Sequence, residues 1–172
     1  MLTLALLRHA KSSWEEPGLD DFDRPLNARG EATAPLMGAA LGNLGFDPDL
    51  VICSPSQRTR QTLDRASPMF VRGKPRIVFD ERLYLASAGD LLGIVRETAP
   101  GPTYVLVIGH NPGLHTLAVN LAGTGSAAEL GRMTDKFPTA ALALLTFEAT
   151  KWSDISPGDG RLETFITPKS LS

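Results

Sequence analysis

Two adjacent side chains, Arg8 and His9, stand where the apolar run of residues 2–7 ends. An arginine offers paired donors to an oxyanion, and a neutral imidazole can act as a nucleophile or carry a proton. In an open α/β sheet the carboxyl ends of the strands face the ligand crevice, so a polar pair at a strand end is well placed for chemistry. The simpler alternative is a strand that reaches the surface at a basic residue.

Two later segments repeat this arrangement. The apolar residues 50–53 lead into a predicted helix whose first turn carries Arg58, and the apolar residues 104–108 lead to His110 just ahead of another predicted helix. Taken singly, Arg58 could be a solvated arginine and His110 a turn cap. In a parallel sheet, however, the three strand ends can meet at one crevice. Two guanidiniums and two imidazoles brought together predict a site for a tetrahedral oxyanion, for which a phosphoryl group is the best candidate.

The elements that would position these residues alternate along the chain. Apolar runs of strand length lie at residues 2–7, 50–53, 76–79, 104–108 and 140–147. Helices are predicted at residues 28–44 after the N-cap Asn27, and at 56–70, 87–98 and 112–121, with Pro35 expected to kink or shorten the first. This alternation predicts a three-layer α/β/α sandwich with a mostly parallel central sheet. The runs 140–147 and 161–166, separated by a turn-rich segment, predict an antiparallel hairpin at one sheet edge.

Composition predicts one globular domain over residues 1–172, since hydrophobic residues make up 42% and charged residues 21%. A net charge of -2 disfavours general nucleic-acid binding. The single Cys53 allows no internal disulfide and no zinc spacing, and no signal peptide or membrane-length apolar run is present, so a cytoplasmic location is expected. Without paired carboxylates near the site we expect no metal and no cofactor, so that arginine and imidazolium would neutralise the phosphoryl charge.

Three motifs at these strand ends resemble the histidine phosphatase superfamily, whose fold is called phosphoglycerate mutase-like, and within it the SixA-type phosphohistidine phosphatases. They are RHAKS at residues 8–12, SPSQRTRQT at 54–62 and GHN at 109–111, in the expected order. The resemblance covers nearly the whole chain. It implies that the attacking group is a histidine, which forms a phosphohistidine intermediate that water then hydrolyses.

The roles that this resemblance implies fall on named positions of the chain. His9 would attack phosphorus, while Arg8, Arg58 and His110 would hold the phosphoryl oxygens. The motif positions Ser12 and Asn111 are added as candidates for substrate binding.

The chain departs from the wider family in ways that bear on its substrate. Mutases and many small-molecule phosphatases have RHG followed by a glutamate and later an asparagine, where this chain has Ala10, Lys11 and Glu15. The short segment after residues 76–79 leaves no room for the insertion that covers the pocket of mutase-like members. We therefore expect an open, shallow pocket that admits a phosphohistidine carried by a protein.

The proton donor is predicted from the DERLY segment at residues 80–84, which resembles the NERxY stretch of mutases and makes Glu81 the candidate acid. The plain alternative is a solvated carboxylate. SixA-type members often lack a clear acid here. That suits a phosphoramidate substrate, because a phosphoryl group is transferred more easily from an imidazole nitrogen than from an alkoxide oxygen.

The function expected from the sequence is therefore metal-independent hydrolysis of phosphohistidine on a protein partner. Two alternatives stay open: a phosphatase of small phosphate esters from the same superfamily, and a phosphate-recognition module without turnover. A mild basic patch is formed by Arg65, Arg72, Lys74 and Arg76. Such a patch is usually only solvated surface, but it could steer an acidic partner protein.

Overall fold

A seven-stranded sheet forms the centre of the computed structural model, which describes residues 1–72 and 74–171. Its strands are β1 (Leu2–Arg8), β2 (Leu50–Cys53), β3 (Arg76–Phe79), β4 (Tyr104–Gly109), β5 (Ala122–Gly125), β6 (Leu142–Phe147) and β7 (Gly160–Ile166). Their spatial order is β3-β2-β4-β1-β6-β7-β5.

The parallel half of the sheet contains β3, β2, β4 and β1. Within it, Arg8 at the end of β1 pairs with Gly109, and Cys53 at the end of β2 pairs with Ile108. The carboxyl ends of these three strands are therefore level. The residues that follow them emerge side by side at one edge of the sheet, as the sequence predicts.

The other half of the sheet is built by the C-terminal hairpin. β6 runs antiparallel to β1, and β7 runs antiparallel to β6, which confirms the predicted hairpin. The hairpin does not form the outer edge, however, because β5 pairs in parallel with β7 and lies outside it. The sequence of β5 is glycine-rich and carries no strand signal. Gly123 lies so close to the Gly158 carbonyl that a Cβ there would sit 1.9 Å from its oxygen, so close backbone packing defines this edge.

The helices cover both faces of the sheet. They are α1 (Ala28–Asn43), α2 (Gln57–Ala66), α3 (Ala88–Arg96), α4 (Gly113–Leu121) and α5 (Ala127–Asp135). Asn27, Ser56 and Ser87 each accept a hydrogen bond from the backbone of the first turn that follows, as N-cap residues do. Pro35 does not shorten α1, which continues to Asn43. The sequence did not predict α5, which begins after the N-cap Ser126.

Two apolar cores confirm the three-layer sandwich. Along β1, Leu4 and Leu6 join the core under α3, α4 and α5, whereas Ala5 and Leu7 join the core under α1 and α2. Every second side chain of a strand points to the same face, so a strand that is apolar throughout must be covered on both sides. Among the described residues, no helix has the length and apolar character needed to cross a membrane.

Candidate active site

The strand ends bring four of the predicted residues into one buried cluster. The rings of His9 and His110 have their centroids 5.3 Å apart, and Arg58 Nη2 lies 3.4 Å from His110 Nδ1. His9 is 6% exposed, Arg58 3% and His110 3%. Arg8 ends β1 directly before His9 and is half-buried. Two imidazoles and two guanidiniums thus share a pocket at the carboxyl edge of the parallel strands.

His9 is held in one orientation and one protonation state. Its backbone carbonyl accepts from Ala140 N, and its Nδ1 lies 2.8 Å from the Ala10 carbonyl oxygen. Because a carbonyl can only accept, Nδ1 carries the hydrogen and Nε2 keeps its lone pair. Burial, opposed by the bond to Ala10 and reinforced by the neighbouring His110, lowers the pKa of His9 to about 3. At neutral pH, His9 is therefore a neutral imidazole with an unprotonated Nε2.

His110 has the opposite tautomer. Its Nε2 lies 2.8 Å from Ser54 Oγ, and its Nδ1 faces the Arg58 guanidinium, which can only donate. Nδ1 is therefore an acceptor, and Nε2 donates to Ser54. Burial, together with the nearby Arg58, lowers the pKa of His110 to about 3. A dianion placed among these groups would raise this pKa, since an opposite charge favours the protonated imidazole.

The two arginines retain donors that no protein group uses. Arg8 Nη1 donates to the Phe137 carbonyl at 3.1 Å, and burial, with Arg58 nearby, lowers the pKa of Arg8. The Nε atoms of Arg8 and Arg58 are buried and have no hydrogen-bond partner within the described part of the chain. A buried donor without a partner is costly, and an oxyanion is the ligand that a guanidinium satisfies best. The cluster is therefore built to receive an anion.

Asp21 and Tyr84 belong to the pocket, although the sequence analysis did not select them. Arg58 donates through Nη1 to the Asp21 carbonyl at 2.7 Å and through Nη2 to the Asp21 carboxylate at 3.0 Å. The Tyr84 hydroxyl donates to the same carboxylate, and its ring lies edge-on to His110 at 5.3 Å. Burial alone would raise the pKa of Asp21, but the bonds from Tyr84 and Arg58 outweigh it and lower the pKa to about 2. Asp21 is thus an anion that already accepts hydrogen bonds from part of the Arg58 guanidinium.

No local pattern distinguishes Asp21 from its neighbours in the long segment 10–26, where Asp20 and Asp23 are also acidic. Tyr84 lies in the DERLY segment already noted for Glu81, and that signal could have drawn attention to it. Burial and bonding also reveal Ser54, which the second motif contains.

The substrate-binding candidates Ser12 and Asn111 are largely engaged by the protein. Ser12 is buried, and its Oγ accepts from Arg24 Nη1 at 2.8 Å. Asn111 Nδ2 donates to the Phe137 carbonyl at 2.8 Å, the same oxygen that Arg8 contacts. Ser12 therefore links the two ends of the segment 10–26 through its bond with Arg24, and Asn111 helps to hold the turn at Phe137.

Glu81 lies outside the buried cluster. It begins a short 3-10 helix (Glu81–Leu83) and is exposed, and its carboxylate forms no hydrogen bond or ion pair with any described residue. Its neighbours Asp80 and Arg82 pair with each other at 2.7 Å. Glu81 therefore lies in the same connection between β3 and α3 as Tyr84, but its side chain contacts neither histidine.

Residues 1–72 and 74–171 contain no group of three or more His, Cys, Asp or Glu side chains arranged to hold a metal ion. The positive charges of the pocket come from Arg8 and Arg58.

Comparison with known proteins agrees with this geometry. The sequence profile of the histidine phosphatase superfamily (branch 1) matches residues 4–100. An uncharacterized protein of Mycobacterium tuberculosis is 36% identical over 165 residues, which cover 95% of this chain and 100% of the relative. SixA of Agrobacterium tumefaciens has a TM-score of 0.81 at 29% identity, covering 97% of this chain and 98% of that one. SixA of Nakamurella multipartitia has a TM-score of 0.84 at 25% identity, covering 97% and 96%. The chain belongs to the histidine phosphatase superfamily, branch 1, and is of the SixA type.

Proposed function

We propose that this phosphatase hydrolyses phosphohistidine on proteins, with His9 as the nucleophile. The observation that carries the proposal is the state of His9: a buried, neutral imidazole with a free Nε2 lone pair, in a cluster where Arg8 and Arg58 each keep a buried Nε without a partner. A nucleophile is active when its lone pair is free at working pH, and the guanidiniums supply charge stabilisation where the phosphoryl group would lie.

In the first step, His9 Nε2 forms a bond to phosphorus as the bond from phosphorus to the leaving nitrogen breaks. The leaving imidazole takes a proton from the solvent and departs as a neutral ring. The phosphorylated His9 ring then carries positive charge, which the bond from Nδ1 to the Ala10 carbonyl stabilises. Arg8 and Arg58 bind the phosphoryl oxygens, and His110 takes up a proton to donate a further bond. In the second step water attacks phosphorus, the bond to Nε2 breaks, and inorganic phosphate leaves.

Two features favour a phosphohistidine substrate over an ester. The predicted acid Glu81 has no contact with the buried cluster, and a phosphoramidate needs less help from an acid than an alkoxide does. Only residues 80–87 separate β3 from α3, so this connection carries no large insertion over the pocket. A short connection of this kind leaves room for a histidine that belongs to a folded partner.

The test is phosphate release from a histidine-phosphorylated carrier protein and from an aryl phosphate ester, measured with the wild type and with His9→Ala. We expect fast release from the carrier, slow turnover of the ester, and a loss of about 1,000-fold or more in His9→Ala. His115→Gln is the matched control, because His115 lies outside the cluster and bonds to the Met133 carbonyl. A preference for the ester would make the protein a small-molecule phosphatase, and no turnover of either substrate would make it a binding module.

A second variant tests the predicted acid. Glu81→Gln should lower ester hydrolysis more than phosphohistidine hydrolysis, because an alkoxide leaving group needs the proton more. Equal losses on the two substrates would contradict this assignment.

A further inference from the structure

A basic groove of about 580 Å³ opens beside the pocket. Its lining includes the cations Lys11, Arg29, Arg132, Lys136 and Lys169, above the buried side chain of Phe165. No aspartate or glutamate is among the described residues that line it. All five cations are exposed.

The groove adjoins the proposed catalytic cluster through the backbone. Lys11 follows His9 by two residues, and Lys136 precedes Phe137, whose carbonyl accepts from Arg8. The same turn continues to Ala140, whose N–H donates to the His9 carbonyl. A partner bound in the groove would therefore lie next to a phosphoryl group on His9.

The charge of the groove is local, because the whole chain has 19 acidic and 17 basic residues. Arg132 lies 3.6 Å from Glu129, but Lys11, Arg29 and Lys136 form no ion pair with any residue that the structure describes. The basic patch noted in the sequence analysis is different. There, Arg65 pairs with Glu31 and Arg72 with Asp47, so much of its charge is neutralised. Beside the pocket, cations without an ion pair are therefore found in the groove.

Apolar side chains are exposed around Tyr84, at the entrance to the pocket. Phe22 is 36% exposed and packs edge-on against Tyr84, at a centroid distance of 5.0 Å. The next residue, Leu85, is 58% exposed and is held at a φ of 55°, a left-handed conformation that is rare for leucine. Exposed apolar residues at the entrance to a charged site are typical of a surface that contacts another protein.

We infer that the groove binds an acidic segment of the phosphorylated protein substrate and so positions its phosphohistidine over His9. This inference rests on the proposed function. Exposed cations fit an acidic protein surface, since rim charges of this kind speed association and select partners. A small phosphate would instead be expected to need buried, bidentate donors such as those inside the pocket. The exposed Phe22 and Leu85 at the entrance to the pocket favour a protein over a nucleic acid as the occupant.

The experiment uses a carrier protein with acidic side chains around its phosphohistidine, a second carrier in which these are amides, and phosphoramidate as a small substrate. The test variant is Arg29→Glu/Lys136→Glu. The matched control is Lys74→Glu/Lys151→Glu, since Lys74 precedes β3 and Lys151 follows β6, which places both at the opposite edge of the sheet. The kcat/KM is measured at low and high salt.

We expect the test variant to lose about tenfold or more in kcat/KM on the acidic carrier, through KM, with a weaker salt dependence. Turnover of phosphoramidate and of the amide carrier should stay within about twofold, and the control should match the wild type. An unchanged kcat/KM on the acidic carrier would overturn the inference. So would an equal loss on phosphoramidate, because the groove cations would then act on the catalytic site itself.

A binding measurement separates this inference from the proposed function. The unphosphorylated acidic carrier is titrated against the full-length phosphatase, and amide shifts are followed by NMR. Shifts at the groove that the test variant abolishes would support docking even if the wild type failed to hydrolyse the phosphorylated carrier. Absence of such shifts would overturn the inference whatever the activity. Tighter binding of a single-stranded oligonucleotide at the same residues would also overturn it.

Discussion

At the scale of single residues, the position of one proton decides what His9 can do. The Ala10 carbonyl holds the hydrogen on Nδ1, and burial keeps the ring neutral, with its pKa lowered to about 3. The nucleophilic nitrogen is thus selected by a backbone group of the next residue. His110 shows the reverse pattern because its partners are a guanidinium donor and the Ser54 hydroxyl.

This assignment predicts a nitrogen NMR spectrum. In uniformly labelled protein, His9 should show a protonated Nδ1 and an unprotonated Nε2 at pH 7, and the same state at pH 5, because its pKa lies near 3. The third histidine signal comes from His115, which lies outside the cluster and serves as the comparison. An imidazolium signal for His9 at pH 6 would contradict the assignment.

Asp21 is the residue whose replacement should tighten anion binding. Its carboxylate occupies Arg58 Nη2 and repels an incoming dianion from the pocket. Asp21→Asn should therefore lower the inhibition constant of orthovanadate by about 3- to 10-fold, since one removed pair interaction near a protein surface is worth about 1 kcal/mol.

The control for this prediction is Asp20→Asn, which removes the same charge from the adjacent exposed position. It should leave the inhibition constant unchanged. Weaker vanadate binding by Asp21→Asn would show that the carboxylate orients Arg58 more than it competes for it.

At the scale of elements, the start of α4 fixes the mouth of the pocket. A Cβ on Gly113 would lie 1.9 Å from the Ala86 carbonyl oxygen, so α4 approaches the segment after Tyr84 as closely as a backbone can. α4 also holds His110 in place, because Leu114 N donates to the His110 carbonyl at 3.0 Å. One close backbone contact thus couples the positions of His110 and Tyr84.

Gly113→Ala should therefore destabilise the protein by about 1–3 kcal/mol and lower its activity, because the added methyl group must displace backbone atoms. The measurement is urea unfolding together with phosphate release. Gly93→Ala in α3 is the matched control: a Cβ there meets nothing within 4 Å, so it should stabilise the helix by up to about 1 kcal/mol. Equal stability of Gly113→Ala and the wild type would disprove the close contact.

At the scale of the whole molecule, the two buried histidines make stability depend on pH. Well above pH 6.5 they are neutral in both the folded and the unfolded chain and contribute nothing to the pH dependence. As the pH falls from 6.5 towards 3, the unfolded chain takes up protons that the folded chain does not. The free energy of unfolding should then decline by about 1.4 kcal/mol per histidine per pH unit.

Urea unfolding at pH 7, 6, 5 and 4 checks this dependence. His9→Gln/His110→Gln should flatten the decline, whereas His115→Gln should leave it in place. An identical pH slope in the double variant and the wild type would mean that these histidines are not buried as neutral groups. Below about pH 4 the unfolded chain also protonates Asp21, whose pKa in the folded protein is lowered to about 2, so both proteins should be destabilised further.

Much of the architecture follows from short-range patterns. Apolar runs that are covered on both faces predict parallel strands, and parallel strands place their carboxyl ends at one edge. The meeting of His9, Arg58 and His110 could therefore be predicted before any distance was known. Helix starts were equally readable, because an N-cap such as Asn27 bonds within its own first turn.

The sequence by itself thus determined the family, the sandwich and the residues at the three strand ends. Tertiary structure alone decided the rest, because the deciding contacts join residues far apart in the chain. Asp21 reaches Arg58 across 37 positions and Tyr84 across 63, and Arg8 meets the Phe137 carbonyl across 129. No local propensity encodes such pairs. The proton positions on the two histidines, the added edge strand β5 and the basic groove all depend on how the loops pack against the sheet.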